Sequence, residues 1–509
     1  MAARAALLVV AAASSALAWP GVKGRSVAWG IAVAGGWALA FPLHEHIHLL
    51  GDTQLRTDTL ESAALGTISL RFGDLAGELH ASPLDVVANL YVPLGLTHLG
   101  SSGSAVSWTC FAEWLLYLAG VARVVKRLGP PPEARIPLTA ALALSGLLEV
   151  FAGYLDSSGL ILAAAAWWWS ELLAPLDRDR QAARVWVAGL ALLLTHRMGA
   201  AMLAPQLWRA LGARLDGDRP GPRRWLLALT AVTLASMAVF LTWRRAGGQF
   251  RVDLRDLLLS ARTSGLRLSA PADMANTLAL VSPLIFLAPA LSGWRTLIDW
   301  MRRGTTHLAL VAAAPLLLLL AWLFPVGLSG LGAQRDWDVN TLLGLSLAVA
   351  AGSLLALMPR ARLVPALAAC LPVLVLGAGG WVGVNADEAA SLGRVETLAS
   401  APGHVQGPQL GHLYRARGNW YMSHLQWRQA GASFDRSFEL NPNPKIEILA
   451  TRSWLMARDP FSARRSLGRA RAAGPLPPDW ERKSRSYELV IQRMEEAYAR
   501  AREQAVAPR

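Results

Sequence analysis

A chain of 509 residues that is 53% hydrophobic and 17% charged, with a mean hydropathy of +0.34, is not an ordinary soluble protein; soluble domains carry about 25% charged residues. Its net charge of +14 does not mark a nucleic-acid binder, because the basic residues fall in short loops and along the tail, without an aromatic-interleaved patch. The two cysteines, Cys110 and Cys370, lie inside apolar segments and predict neither a disulfide framework nor a zinc site.

Apolar stretches of about 17–22 residues recur from the N-terminus to about residue 384, long enough to span a bilayer as helix. Helices are the default way to satisfy the backbone in lipid. The expected fold is therefore all-α: a polytopic membrane domain over 1–384, followed by a soluble helical domain over 385–509. About twelve transmembrane helices are predicted, near residues 4–20, 26–43, 105–122, 137–153, 158–175, 184–196, 199–211, 225–243, 276–292, 305–325, 339–358 and 363–384. The first ends Ser15-Ala16-Leu17-Ala18 and also reads as a cleaved signal peptide. The sixth and seventh read equally as one broken helix or a tilted pair.

Charge sets the orientation. One set of loops carries Lys23 and Arg25; Arg123, Lys126, Arg127 and Arg135; Arg178, Arg180 and Arg184; Arg214, Arg219, Arg223 and Arg224; Arg295, Arg302 and Arg303; Arg360 and Arg362. Short basic loops stay in the cytoplasm. The opposite set then faces outward: residues 44–104, the turn at Asp156, the junction at Arg197, 244–275, 326–338 and the tail. Abundant Ala, Leu and Arg suggests a GC-rich bacterial genome, so the expected location is the inner (cytoplasmic) membrane with the C-terminal domain outside. One outer loop breaks the rule, with Arg244, Arg245, Arg251, Arg255, Arg262 and Arg267. Those arginines need a purpose other than orientation, unless the helix count is off there.

Five ionisable residues, Asp52, Asp156, Arg197, Asp336 and Asp338, gather on the outer side in this threading. An enzyme acting at the membrane surface on a lipid-borne anion needs such groups. The first outer loop opens His44-Glu45-His46-Ile47-His48-Leu49-Leu50-Gly51-Asp52 and continues to Arg56 and Asp58. A carboxylate just past a membrane helix can take a proton from an incoming hydroxyl; the competing role for Asp52 is a helix cap or turn residue after Gly51. His44, His46 and His48 are weak candidate metal ligands, since imidazole suits several divalent ions but the spacing matches no zinc signature. Ser82-Pro83 reads as a helix start with Ser82 as cap, opening an interfacial or re-entrant stretch over 86–96 in which Asp85 is structural rather than catalytic.

Gly153-Tyr154-Leu155-Asp156 occupies a tight outward turn, its carboxylate either solvated or aimed into a cavity. Arg197 offers a fork of donors that fits phosphate oxygens, as does Arg56; snorkelling to ordinary headgroups is the alternative for Arg197. Arg335-Asp336-Trp337-Asp338 places two carboxylates about an interfacial Trp, a pattern that can hold a divalent cation between phosphates and protein or bind substrate directly. A divalent ion is accordingly a possible cofactor, and its identity is open.

The tail loses the apolar runs. Leu410-Gly411, Tyr414 and Gly418, then Ala430, Phe434 and Pro442, are similar to a tetratricopeptide repeat. The two halves stand about seven residues too far apart for its usual spacing. A repeat-like helical hairpin is expected, with further helices near 444–457, 460–473 and 478–504. It would serve packing, or docking of a protein or glycan partner.

At His48-Leu49-Leu50-Gly51-Asp52, Pro83-Leu84-Asp85, Gly153-Tyr154-Leu155-Asp156, the stretch Ser269 to Asn276, and Asp336-Trp337-Asp338, the chain resembles bacterial membrane glycosyltransferases of the GT-C superfamily, in a subset bearing a tetratricopeptide-like tail. The matches cover about residues 40–340, and their specificity lies in their order. The resemblance implies a polyprenyl-phosphate-linked sugar as donor and inverting transfer to a hydroxyl acceptor on the outer face. It also implies an acid in the first outer loop as catalytic base, which falls on Asp52, with Asp156 as a second catalytic candidate. Arg56, Arg197, Asp336 and Asp338 would bind substrate or phosphate. Three other readings compete. An O-antigen ligase or polymerase would depend on late-loop residues such as Arg251 or Arg255. A multi-helix transporter would place its ionisable groups near mid-bilayer, where only Glu113, Glu149 and Glu171 stand out. A non-catalytic scaffold would act through its tail.

Overall fold

The structure, a computed structural model, describes residues 25–44, 56–57, 59–60, 63, 82–145, 148–153, 157–212, 215, 217–246, 270–326, 340–400, 408–476 and 478–506. The expected helix near 4–20 and most of the arginine-rich 244–275 loop lie outside them. Among the described residues every regular element is helical, and the chain divides into two compact units, one ending at Asp387 and the other running on from Glu388.

The first unit contains α1 (Arg25–Ala40), α2 (Pro83–Leu96), α3 (Ser102–Leu128), α4 (Arg135–Ala143), α5 (Ser157–Leu172), α6 (Asp179–Thr195), α7 (Leu203–Leu211), α8 (Pro220–Ala246), α9 (Ala270–Val281), α10 (Leu284–Ser292), α11 (Trp294–Met301), α12 (Gly304–Val326), α13 (Thr341–Ala356) and α14 (Arg360–Ala386). Short 3-10 turns at Leu148–Phe151 and Arg197–Met202 follow α4 and precede α7. Among the described residues two helices, Ser102–Leu128 and Arg360–Ala386, are long and apolar enough to cross a membrane. Ala275–Val281 and Leu284–Ser292, bent by 85°, make a third if the pair is one span.

Local chemistry sets several of these ends. The Ser101 hydroxyl accepts from the Ser104 N–H at the start of α3. Gly129 closes the same helix in a left-handed conformation, φ 73°, its N–H returning to Val125, the arrangement glycine adopts without steric cost.

At the centre lies α13, where Thr341 through Leu355 are all buried. It packs against α3, α4, α5, α10 and α12. A helix apolar on every side is an interior helix, and this one is the hub of the unit. Small residues bring its neighbours together. Gly120 on α3 approaches Ala166 on α5 so closely that a Cβ there would lie 2.7 Å from the alanine Cβ, the close packing characteristic of helices that meet in lipid.

Polar side chains tie the remaining helices. Trp168 on α5 donates to Gln206 on α7 at 2.5 Å. Arg209 on α7 is fully buried; it pairs with Asp218 at 2.6 Å and donates to the Ala174 carbonyl at 2.6 Å. Asp218 also accepts from the Leu176 and Leu215 N–H groups. Arg123 on α3 reaches Glu171 on α5 at 2.5 Å, and Gln181 donates to the other oxygen of that carboxylate at 2.9 Å.

The second unit contains α15 (Glu388–Ser400), α16 (Pro408–Ser423), α17 (Trp427–Leu440), α18 (Pro444–Met456), α19 (Pro460–Ala472) and α20 (Pro478–Val506). From α16 on, each helix packs against the next, and α20 also touches α18. Ala430, Phe434, Ile446, Trp454, Leu467 and Ile491 belong to the shared core. Gly418 lies against the Phe434 ring, and Gly411 against Ser437 and Asn441. The chain reverses between α16 and α17 at Leu425, and between α18 and α19 at Arg458. Both are in the left-handed region at φ 58°, about 33 residues apart, close to one repeat length. Arg469 on α19 joins Asp435 on α17 to Glu447 on α18, and Trp454 and Ser466 also donate to Asp435.

Candidate functional site

The site is built around α2. Ser82 stands at its N-cap position with extended backbone but makes no side-chain cap bond, and Pro83 fills the first turn. The helix then widens into a π turn over Val87–Tyr91 before resuming as Val92–Leu96. Pro93 explains the widening: it has no N–H for the Asn89 carbonyl, and its ring would clash with that carbonyl in a regular helix. Such π turns recur at functional sites. Asp85 lies just before the change and Asn89 within it, and both are buried.

Asp85 is the anchor. Its two oxygens each accept from a different terminal nitrogen of Arg56, both at 2.8 Å, and Oδ1 also accepts from Asn89 Nδ2 at 2.9 Å. Arg56, Asp85 and Asn89 are 4%, 0% and 2% exposed. Paired donors in a rigid fork, matched to a carboxylate, make the strongest kind of side-chain hydrogen bonding. Arg56 belongs to the segment between α1 and α2, so the pair fastens that loop to α2 at this residue. Beneath it Leu60 packs with Ala40, Val86, Leu90, Val106 and Cys110, which joins the loop to α1, α2 and α3. In turn α2 packs on α3 and α6.

A second contact brings the Gly153 turn to the same loop. Gly153 is left-handed, φ 77°, and a Cβ on it would lie 2.8 Å from the Cβ of His44. His44, just past the end of α1, is 2.6 Å from the Phe41 carbonyl through Nδ1. The loop's first residue and the turn leading to Asp156 are therefore in contact. Further along, a Cβ on Gly159 would lie 2.2 Å from Glu113 Oε2, so the buried Glu113 of α3 sits against the first turn of α5, the helix that follows Asp156 in sequence.

Of the residues singled out from sequence, Arg56 and His44 are placed as above, and Arg197 begins the 3-10 turn after α6. The His196 ring accepts from the Met198 N–H at 3.1 Å, capping that turn. Asp52, Asp156, Asp336, Asp338, His46 and His48 lie outside the described residues. Among the described residues no group of three or more His, Cys, Asp or Glu could hold a metal ion.

The fork of Arg56, expected to meet a phosphate, is engaged by Asp85. Sequence reasoning treated Asp85 as structural and left it without a partner. The signal available was Asn89, one helical turn on from Asp85, beside Pro93. Glu113 stood out in the sequence as a charge within a membrane helix, but its approach to Gly159 did not. The chain matches no protein-family model, no curated protein and no solved structure.

Proposed function

We propose that this is a polytopic inner-membrane glycosyltransferase of the GT-C type, with about twelve spans and its C-terminal helical domain outside. It transfers a sugar from a polyprenyl-phosphate donor to a hydroxyl acceptor at the outer face. Asp52 deprotonates the acceptor hydroxyl, whose oxygen attacks the anomeric carbon. The lipid phosphate leaves, and the configuration inverts. Arg197, together with arginines of the 244–275 loop, offsets the charge that grows on the departing phosphate, which gives those rule-breaking arginines a reason to lie outside. Asp156 is the second candidate for the catalytic acid, and Asp336 and Asp338 orient donor or acceptor or would hold a divalent ion.

The observation that supports this reading best is the contact of His44 with Gly153. It joins the loop carrying one candidate acid to the turn leading to another, as a site assembled from separate outer segments requires. A transporter gains nothing from such a junction at one surface. The test is sugar transfer by purified protein from a mixture of polyprenyl-phosphate-linked hexoses, wild type against Asp52→Asn.

A further inference from the structure

The short helix α11 joins two apolar helices, α10 and α12, and is unlike either. Its eight residues make a rod about 12 Å long, far short of a bilayer core of about 30 Å. Gly293 turns the chain out of α10 at φ 76° and ψ 158°, a conformation essentially confined to glycine. At the other end the Thr306 hydroxyl donates to the Trp300 carbonyl at 2.6 Å. Trp300 itself is buried, and its indole N–H donates to Ser353 Oγ at 2.8 Å and to the Ala350 carbonyl at 3.1 Å, near the C-terminal end of α13. The helix is therefore clamped to the hub of its unit in one orientation.

That orientation sets out three faces, because residues three and four apart share a side of a helix. Trp300 lies against α13. Trp294, Ile298 and Met301, at i, i+4 and i+7, make a second face. Trp294 is 70% exposed, more than any other tryptophan among the described residues, and Met301 is 47% exposed. Arg295, Asp299 and Arg302 make a third face at the same spacing, all exposed, and the exposed Arg303 extends it. None of these three guanidiniums makes an ion pair among the described residues. Three cations beside one carboxylate leave the face positive. An apolar edge carrying a tryptophan, next to an arginine face, suits a helix lying in the headgroup layer, with the indole at the acyl boundary and the guanidiniums among phosphates.

We infer that α11 is a binding surface for anionic phospholipid: Trp294, Ile298 and Met301 enter the acyl boundary, while Arg295, Arg302 and Arg303 hold headgroup phosphates through their donor forks. The two faces together select this partner. A free phosphate would leave Trp294 in water, and a neutral headgroup would leave the positive face uncompensated. The inference does not depend on the transfer reaction.

The test uses the full-length protein carrying Met301→Cys and labelled there with a fluorophore, since Cys110 and Cys370 are buried. It is placed in phosphatidylcholine nanodiscs containing, at equal mole fraction, either phosphatidylglycerol or phosphatidylcholine spin-labelled high on the acyl chain. Quenching by the spin-labelled phosphatidylglycerol should be about threefold to tenfold stronger, because each arginine near the surface favours anionic lipid by roughly fivefold. Acrylamide in the water should quench weakly. The lipid preference should vanish when Arg295→Gln, Arg302→Gln and Arg303→Gln are combined. All three side chains are exposed, so the fold should survive. Raising the salt on the parent protein tests the same claim without substitution, and the preference should shrink there too.

Equal quenching by the two lipids would overturn the inference, as would a preference that persists without the arginines. Strong quenching by acrylamide and none by lipid would place α11 in water. Protection from all quenchers would mean that a second copy or another protein covers the face. Loss of the preference on adding inorganic phosphate at constant ionic strength would mark a site for free phosphate. Each of these results would refute a lipid surface at α11.

Discussion

Gly153 sits against His44 with no room for a side chain, its backbone in the left-handed region and the site of its missing Cβ 2.8 Å from the histidine Cβ. Two demands meet at this residue. The turn has φ 77°, and His44 occupies the space a side chain would need. Gly153→Ala should therefore cost about 1–3 kcal/mol through backbone strain alone, before any displacement of His44. The expected result is a lower unfolding temperature in detergent and weakened transfer. A variant as stable and as active as wild type would show that the contact is dispensable.

The Arg209–Asp218 pair makes a stronger prediction for the fold. Both side chains are buried, and Asp218 accepts two backbone N–H groups in addition to the arginine. Asp218→Ala would strand the guanidinium and both N–H groups away from water, a change that typically costs about 3–5 kcal/mol. Thermal unfolding of the solubilised variant checks this. Replacing Arg209 and Asp218 together with apolar residues should cost less than Asp218→Ala alone, because no charge is then left unpaired.

In the tail, Glu447 gives a pH dependence with a definite sign. Burial, reinforced by the neighbouring Asp435 and opposed by Arg469, pushes its carboxyl up from 4.5 to about 8. Between those values the folded tail keeps a proton that the unfolded chain has lost. Stability must then fall as pH rises through that window and level off above it. Amide exchange in α17 to α19, corrected for the intrinsic rate, should show protection declining from pH 5 to pH 8. Glu447→Gln should flatten that slope while leaving the helices in place.

Phe434 tests the packing of the tail. It is fully buried against Gly418, in the core shared with Ile446 and Trp454. Phe434→Ala should cost about 3–5 kcal/mol, read as loss of amide protection across α16 to α18. Gly418→Leu should also destabilise the hairpin, since even a Cβ there would come within 2.7 Å of the ring and overpacking costs about 1–3 kcal/mol.

The all-helical class was legible in the sequence, because long apolar stretches report helices directly. The helix expected near 305–325 is Gly304–Val326, and that near 363–384 is Arg360–Ala386. Whether an apolar helix faces lipid or protein was not legible. α13 reads like any other hydrophobic segment, yet it is buried on all sides, since both environments select the same residues. Nor could sequence join Arg56 to Asp85 across the intervening loop, because ion pairing at that separation leaves no periodic trace.

The tail shows a subtler limit. The repeat-like spacing looked too long when counted from Gly411. In the structure it is Gly418 that meets Phe434, and the turn position where glycine is the usual choice holds Leu425 at φ 58°. Read one heptad later, Gly418, Tyr421, Ala430, Phe434 and Pro442 follow a regular repeat. A leucine in a left-handed turn concealed the register.

Sugar transfer by the purified full-length protein, wild type beside Asp52→Asn, bears most directly on the central claim. The account predicts that wild type transfers from a polyprenyl-phosphate-linked hexose, and that the folded variant loses transfer by about 100-fold to 10,000-fold, as removal of a general base should. Equal transfer by the two proteins would take Asp52 out of the chemistry, and no transfer by wild type from any such donor would contradict the glycosyltransferase reading itself.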